Sequence, residues 1–410
     1  MHSIVVQKYG GSSVANIERI KKVADRVVRY RKKGHRVVVV VSALGDTTDE
    51  LLQLARNITE SPSERELDML ISTGEQVSVA LLAMAIHKLG FDAISFTGGQ
   101  VGIVTDRSHT KARIVDVEAD RIKKELKRGK VVIVAGFQGV NPENEITTLG
   151  RGGSDITAVA LAKALKAAYC EIYTDVEGVY TADPRIVKDA RKLSRISYEE
   201  MLELASLGAQ VMQARSMEVA KKFSVPLHIR SSFTDKPGTV ISKEVKAMEE
   251  VLVSGVTMNK GEAKVTICDV PDRPGIAAYI FRDLAKENIN VDMIIQNISR
   301  TGCTDMSFTV PLNELNRCRK VMDDIVKKVK AEGVIYNNDI AKISIVGVGM
   351  KSHSGVAAKM FESLASKRIN IDMISTSEIK ISCVIKKKRA EEAVKVIHKA
   401  FGLGKGRKGG

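Results

Sequence analysis

An α/β domain with a mainly parallel central sheet, followed by two smaller α+β units, is the fold class this sequence predicts. Three observations predict it. Short β-branched runs alternate with helical stretches through about residue 245. Glycine-rich polar turns follow several of those runs, where such sheets gather ligands, outside the carboxyl ends of the strands. Beyond residue 260 one pattern of residues occurs twice.

The elements follow in order. Expected core strands are Ile4 to Gln7, Val37 to Ser42, Ala93 to Phe96, Val131 to Ala135, Cys170 to Thr174 and Pro226 to Ile229, each a short run rich in β-branched residues. Helical spacing of apolar residues places helices near Ile17 to Arg31, Glu50 to Asn57, Gln76 to Lys88, Arg113 to Arg128, Ile156 to Lys166 and Tyr198 to Leu207. With 410 residues and 44% hydrophobic content, the chain has room for two or three domains, each with its own core.

Composition narrows the function classes. The start of the chain carries no signal-peptide pattern and no run approaches the apolar length of a membrane span, so no membrane partner is expected. The five cysteines, Cys170, Cys268, Cys303, Cys318 and Cys383, are scattered without metal-ligand spacing, which fits reduced thiols and a cytoplasmic location. The formal net charge of +15 raises nucleic-acid binding. Most of that charge is spread along amphipathic helices, with local blocks only at Lys386 to Arg389 and Lys405 to Lys408, and the chain has no Trp for stacking. Solvated surface charge is the better reading, and nucleic acid is not an expected partner.

Five segments carry candidate chemistry. Leu149-Gly150-Arg151-Gly152-Gly153-Ser154-Asp155 puts a cation, glycines, a hydroxyl and a carboxylate at an expected helix start. Unpaired N–H groups and the helix dipole favour an anion there, Arg151 offers a planar fork, and Ser154 or Asp155 is placed to cap the helix. A plain strand-to-helix turn is the alternative. Lys8-Tyr9-Gly10-Gly11-Ser12-Ser13 follows the opening strand and puts an ammonium beside glycine N–H groups, a pairing suited to phosphate. It is not a Walker A loop, because the lysine precedes the glycines. Ser42 to Asp49 follows another strand, with Thr48 or Asp49 as an ordinary cap in the bland reading; Thr73-Gly74-Glu75-Gln76 puts an acid at a helix start, which the dipole alone explains. Tyr173 to Arg185 is a long strand exit dense in hydroxyls and acids.

Taken together, these segments resemble the amino-acid kinase family, and within it the aspartate kinases (aspartokinases). Lys8 to Val14, Thr147 to Asp155 and Val179 to Arg185 are similar to that family's hallmark segments. The resemblance implies a three-layer amino-acid-kinase domain over residues 1–245 and the ATP-dependent phosphorylation of the β-carboxylate of L-aspartate to 4-phospho-L-aspartate, with Mg²⁺, at the head of lysine, threonine and methionine biosynthesis. It assigns Lys8, Gly10 and Gly11 to the ATP phosphates and Tyr173, Thr174, Asp175, Tyr180, Asp183, Pro184 and Arg185 to the nucleotide pocket. Ser42, Thr48, Glu75, Arg151, Gly152, Gly153 and Ser154 would surround aspartate, with Arg151 on the α-carboxylate and Glu75 on the α-ammonium. Lys8 and Asp155 would be catalytic, Asp155 orienting Lys8 or the metal shell. No protein metal cage is implied.

The repeat is visible without any family. Ala263-Lys264-Val265-Thr266-Ile267 recurs as Ala341-Lys342-Ile343-Ser344-Ile345, and Ile289-Asn290-Val291-Asp292-Met293-Ile294 as Ile369-Asn370-Ile371-Asp372-Met373-Ile374. Each copy reads strand, glycine turn, helix, strand, strand, helix, strand, the ferredoxin-like order. The tandem resembles a pair of ACT regulatory modules, over residues 246–335 and 336–410 with a basic tail. The resemblance implies an effector amino acid, lysine and/or threonine, at Asp272, Gly275, Ile276 and Ala277, with Gln296, Asn370, Ile371 and Asp372 as partners. Met350 to Ser354 replaces the acid-Pro-Gly turn in the second copy, which is expected to be structural. The same resemblance implies a homo-oligomer through the ACT units and a separate small subunit begun at Met248.

Two other readings compete. Acetylglutamate, glutamate and uridylate kinases share a lysine-glycine loop, but the Thr147 to Asp155 segment and the tandem repeat speak against them. A non-catalytic amino-acid sensor on the same fold is the alternative from another class; intact Lys8, Arg151 and Asp155 speak against it.

Overall fold

The computed structural model describes residues 3–207, 212–243, 252–296, 302–348, 350 and 355–404. The chain divides into two compact units. One holds Met1–Tyr180, Lys192–Ser206 and Gln210–Ala247; the other holds Thr181–Arg191, Leu207–Ala209 and Met248–Gly410.

The strands of the first unit are β1 (Ile4–Tyr9), β2 (Arg36–Val41), β3 (Ala93–Phe96), β4 (Ile103–Thr105), β5 (Ile114–Val117), β6 (Val131–Ala135), β7 (Gln138–Val140), β8 (Ile146–Thr148), β9 (Tyr169–Thr174), β10 (Arg195–Ser197), β11 (Leu227–Ser231) and β12 (Thr239–Ser242). Its helices are α1 (Ile17–Lys32), α2 (Thr47–Ile58), α3 (Glu64–Ile71), α4 (Thr73–Lys88), α5 (Asp120–Lys127), α6 (Gly153–Ala164), α7 (Tyr198–Ser206) and α8 (Ala214–Phe223). Eight strands form the central sheet in the order β10-β12-β11-β9-β1-β2-β6-β3. It is parallel except between β11 and β12.

Alternation along the strands sorts the two faces. Tyr9, Val37, Val39, Val41, Val131, Ile133, Ala135 and Tyr173 pack with Ile20, Val23 and Val27 of α1 and Val79, Leu82 and Ile86 of α4. Lys8 therefore points to the other face, against which α6 packs along β1, β2 and β9. Helix α6 is buried from Gly153 through Ala162, and from Ile156 onward that stretch is almost wholly apolar, as a covered helix must be.

The smaller sheet β5-β4-β7-β8 corrects the expected helix Arg113 to Arg128. Ile114, Val115 and Val117 form a β-branched strand antiparallel to β4, and the amphipathic helix begins only at Asp120. One helical stretch among the described residues, Glu64–Lys88, is long and apolar enough by length and composition to cross a membrane, although Glu75 interrupts its apolar run. Ile71, Val79, Leu82, Ala83 and Ile86 of that stretch are buried in the fold.

The second unit contains β13 (Leu252–Asn259), β14 (Glu262–Pro271), β15 (Ile294–Gln296), β16 (Cys303–Pro311), β17 (Gly333–Asn337), β18 (Ile340–Val348), β19 (Met373–Thr376) and β20 (Lys380–Lys386), with α9 (Ile276–Lys286), α10 (Leu315–Val329), α11 (Val356–Ala365) and α12 (Ala390–Ala400). The first repeat forms the sheet β15-β16-β14-β17 in ferredoxin-like order. The second forms β13-β18-β20-β19. Its last strand is thus not the one expected after α12. Strand β13 takes that place, pairing antiparallel with β18. Met293 and Met373, at equivalent positions of the two repeats, pack together with Ile340 and Val384.

The segment Thr181–Arg191 also packs in the second unit. Val256 donates its N–H to the Thr181 carbonyl at 2.8 Å. The buried Thr181 hydroxyl donates to the Leu403 carbonyl at 3.1 Å and lies 2.9 Å from His398 Nε2. Met248, Lys351 to Ser354 and the basic tail Lys405 to Lys408 lie outside the described residues.

Candidate active site

The carboxyl ends of β1 and β2 and the first turn of α6 bring together residues far apart in sequence. Lys8 Nζ lies 2.7 Å from Asp155 Oδ1, and both side chains are nearly buried. Ser42 Oγ donates to Ser154 Oγ at 3.0 Å, tying the end of β2 to the same helix turn. Glu75 Oε1 accepts the Ala43 N–H at 3.2 Å. Lys8, Ser42, Glu75, Ser154 and Asp155 therefore belong to one connected constellation.

Close backbone approach makes the glycines necessary. A Cβ on Gly11 would stand 2.9 Å from the Gly45 carbonyl oxygen and 3.1 Å from that of Ala43. A Cβ on Gly10 would stand 3.3 Å from Lys8 Nζ. Gly152 has φ of 74°, the left-handed region that favours glycine, and it caps α6.

That cap corrects the expectation for Ser154 and Asp155. Neither caps the helix; both lie inside its first turn, where the Gly153 and Asp155 N–H groups are already bonded to Gly150 and Gly152 carbonyls. Their side chains are thereby directed to Ser42 and Lys8. Thr48 and Asp49 likewise lie inside α2, whose cap is Asp46.

Glu75 has an unusual environment. It is 2% exposed, its Oε2 has no hydrogen-bond partner among the described residues, and burial pushes its carboxyl up to about 7, against the lowering effect of the N–H groups it accepts. A buried carboxylate oxygen without a partner costs free energy unless a ligand satisfies it. Arg151 is exposed at the loop, and among the described residues no hydrogen bond or ion pair engages its guanidinium.

The expected nucleotide residues divide. Tyr173 is 1% exposed and stacks on Tyr9 with ring centroids 4.6 Å apart, under the Arg26 guanidinium. Its side chain belongs to the α1 face of the sheet, and its carbonyl accepts from Gly10 N–H at 3.4 Å. Thr174 and Asp175 close the strand exit through a 3.0 Å side-chain bond. Tyr180 is half-buried in the first unit, bridged to Lys192. Asp183, Pro184 and Arg185 lie in the segment that packs with the second unit, where Asp183 is ion-paired to Arg185 at 2.8 Å.

In the second unit the turn Asp272 to Gly275 is exposed, with Gly275 at φ of 93° capping α9. Gln296, Asn370 and Asp372 are exposed as well. Sequence reasoning missed Lys342, which is 2% exposed and ion-paired with Glu262 and Asp292 of the first repeat. It also missed Asp68, fully buried on α3. The available signal was a lone acid in Leu67-Asp68-Met69-Leu70-Ile71, which burial makes costly unless it is partnered.

The amino acid kinase family matches residues 3–231, and the ACT domain matches residues 269–324 and 343–401. An aspartate kinase of Stutzerimonas stutzeri is 53% identical over 402 residues, covering 98% of each chain. An aspartokinase of Corynebacterium glutamicum is 52% identical over 411 residues, covering 98% of this chain and 97% of the relative. Among solved structures, E. coli aspartokinase III in complex with aspartate and ADP superposes with a TM-score of 0.81 at 25% identity, covering 97% of this chain and 99% of that one. The same enzyme with lysine and aspartate gives 0.75 at 26% identity, with the same coverage. The chain belongs to the amino acid kinase family, in its aspartate kinase branch.

Proposed function

We propose that the constellation around Lys8, Glu75 and Asp155 binds ATP and L-aspartate and transfers the γ-phosphoryl group to the aspartate β-carboxylate. The observation that supports this most is the unpartnered, buried Oε2 of Glu75, beside Ser42 and Ser154. An α-ammonium supplies the missing donors, and Arg151 on the neighbouring loop supplies a bidentate partner for the α-carboxylate.

The chemistry needs no general base. An aspartate carboxylate has an ordinary pKa of about 3.9, so it is already ionised at neutral pH. One of its oxygens attacks the γ-phosphorus, the bond from phosphorus to the β,γ-bridging oxygen breaks, and ADP departs. The barrier is repulsion between carboxylate and triphosphate. Lys8 keeps ammonium protons for the phosphate oxygens while Asp155 holds it in place, and the Gly10 and Gly11 backbone allows the phosphates close approach.

Among the described residues no group of three or more His, Cys, Asp or Glu forms a metal cage. The donor set near Lys8, with Asp155 as its buried carboxylate, fits a Mg²⁺ carried by the nucleotide phosphates rather than one held by protein. Bound there, Mg²⁺ supplies charge neutralisation at the phosphates.

Regulation by lysine and/or threonine at the ACT turn Asp272 to Ala277 belongs to the same proposal, as does self-assembly through the ACT units. Ile294 and Ile374, at equivalent positions on the edge strands β15 and β19, are 51% and 42% exposed, which supports pairing of these edges with another chain. A small subunit begun at Met248 also remains part of this reading.

The test of the substrate site is binding. Arg151→Ala and Glu75→Gln are expected to weaken aspartate at least about tenfold each, since each removes a charge-assisted contact, with ATP binding retained. Unchanged aspartate affinity in both would refute the assignment.

A further inference from the structure

The side chain of Asp68 joins three elements around the substrate loop. One carboxylate accepts the Thr148 hydroxyl and the Thr110 N–H, the latter at 3.1 and 3.0 Å from its two oxygens, and lies 2.9 Å from His109 Nδ1. Thr148 ends β8, and Leu149-Gly150-Arg151 follows directly. The Ala112 N–H bonds to the Thr148 carbonyl at 2.9 Å, and Arg215 donates to the carbonyls of both Leu149 and Ala112. The strand end and the loop through Thr110 are thus stitched together, with Asp68 at one side and Arg215 at the other.

The same helical stretch also carries Glu75. Asp68 and Glu75 lie about two helical turns apart on the stretch α3–α4. The Asp68 carbonyl accepts the Ser72 N–H at 3.1 Å, and the Ser72 carbonyl is held by Gln138 Nε2 at 2.8 Å. A rigid helical segment therefore connects the acid proposed for the α-ammonium with the strand end that launches the arginine proposed for the α-carboxylate.

We propose that Asp68 is a positioning residue for amino-acid selection: it fixes the span between Glu75 and Arg151, and so the length of backbone that the site accepts. This rests on the substrate site proposed above. Burying an acid at 0% exposure is costly, and its compensation comes from Thr148, at the strand end that launches the substrate loop, and from His109 and Thr110 of the segment bonded to that strand end. Lys8, with its partner Asp155 on α6, is not part of this network, so nucleotide binding should be spared.

The experiment compares Asp68→Ala, Asp68→Asn and Thr148→Val in the full chain. KM for aspartate is measured at saturating ATP, and KM for ATP at saturating aspartate, with thermal melting alongside. Asp68→Ala should raise KM for aspartate at least about tenfold with KM for ATP within about twofold, since misplacement of a binding group by about 1 Å can cost a hundredfold. Asp68→Asn keeps an oxygen acceptor and should recover most of that loss, and Thr148→Val should show a smaller rise of the same selectivity. A parallel rise in both KM values, or an unchanged KM for aspartate, in Asp68→Ala overturns the proposal; if that variant does not fold, Thr148→Val decides it by the same rule. Arg151→Ala serves as the control. If it raises KM for aspartate while the Asp68 variants do not, the positioning role alone fails; if it leaves that KM unchanged, the substrate site itself fails.

Discussion

Lys8 Nζ and Asp155 Oδ1 stand 2.7 Å apart, with side chains 13% and 9% exposed, joining the central strand β1 to the first turn of α6. Removing one partner strands the other charge in a nearly dry place. Asp155→Ala should therefore destabilise the first unit by about 3 kcal/mol, the low end for a broken buried pair. Lys8→Met should destabilise it as well, by stranding Asp155, and in addition leave ATP turnover at least about a hundredfold down, because it deletes the cation facing the phosphates. Urea unfolding and single-turnover rates separate the two effects; a Lys8→Met enzyme with normal turnover would remove Lys8 from the mechanism.

Glu75 links pH to both stability and substrate. Its folded value of about 7 lies above its ordinary 4.5, so the carboxyl holds its proton more tightly in the folded chain. The resulting stabilisation is present in acid and is lost as pH rises from 4.5 through 7, by at most about 3 kcal/mol. Glu75→Gln should consequently melt higher than the parent at pH 8 and close to it at pH 5. Affinity for aspartate should run the other way, strengthening as pH rises through 7 because the ionised carboxylate meets the ammonium. A melting difference that does not change with pH would refute this.

Gly11→Ala tests the phosphate loop through packing. The added methyl meets two backbone oxygens at 2.9 and 3.1 Å, neither of which can swing aside. A cost of about 1–3 kcal/mol is expected, together with weaker ATP binding. Calorimetric titration with ADP reads the second effect, and unchanged stability and affinity would show that the strand end adjusts freely.

His398 sets an acid limit on the second unit. It is 1% exposed, and burial holds its imidazole below the usual histidine range, with Asp189 opposing that shift. The folded chain thus binds this proton less readily than the unfolded one, so stability falls as pH drops through the ordinary value of 6.5. His398→Gln should flatten that fall between pH 7 and 5, as followed by circular dichroism. An equally steep fall in the variant would assign the acid sensitivity elsewhere.

Much of this architecture was legible because it is local. The valines from Val37 to Val41 could only be a buried strand, and the repeated Ile-Asn-hydrophobic-Asp-Met-Ile motif announced two copies of one unit. What escaped was non-local or depended on facing. β13 completes the sheet of the second repeat from before the first, a pairing that no periodicity encodes. The family resemblance put Tyr173 in the nucleotide pocket, and its place in the alternation turns its side chain into the core beside Tyr9. Asp68 gave only the faint signal of a charge on an apolar helix, and its partners Thr110 and Thr148 lie far along the chain.

The chemistry proposed for this constellation is the formation of an acyl phosphate from aspartate. Incubation with ATP, Mg²⁺, L-aspartate and hydroxylamine captures such a product as aspartyl hydroxamate, which ferric iron renders visible. Hydroxamate should form in step with ADP for the parent chain, and none above background should form with Lys8→Met or when aspartate is omitted. Hydroxamate formed equally by Lys8→Met, or ADP release without hydroxamate in the parent chain, would contradict it.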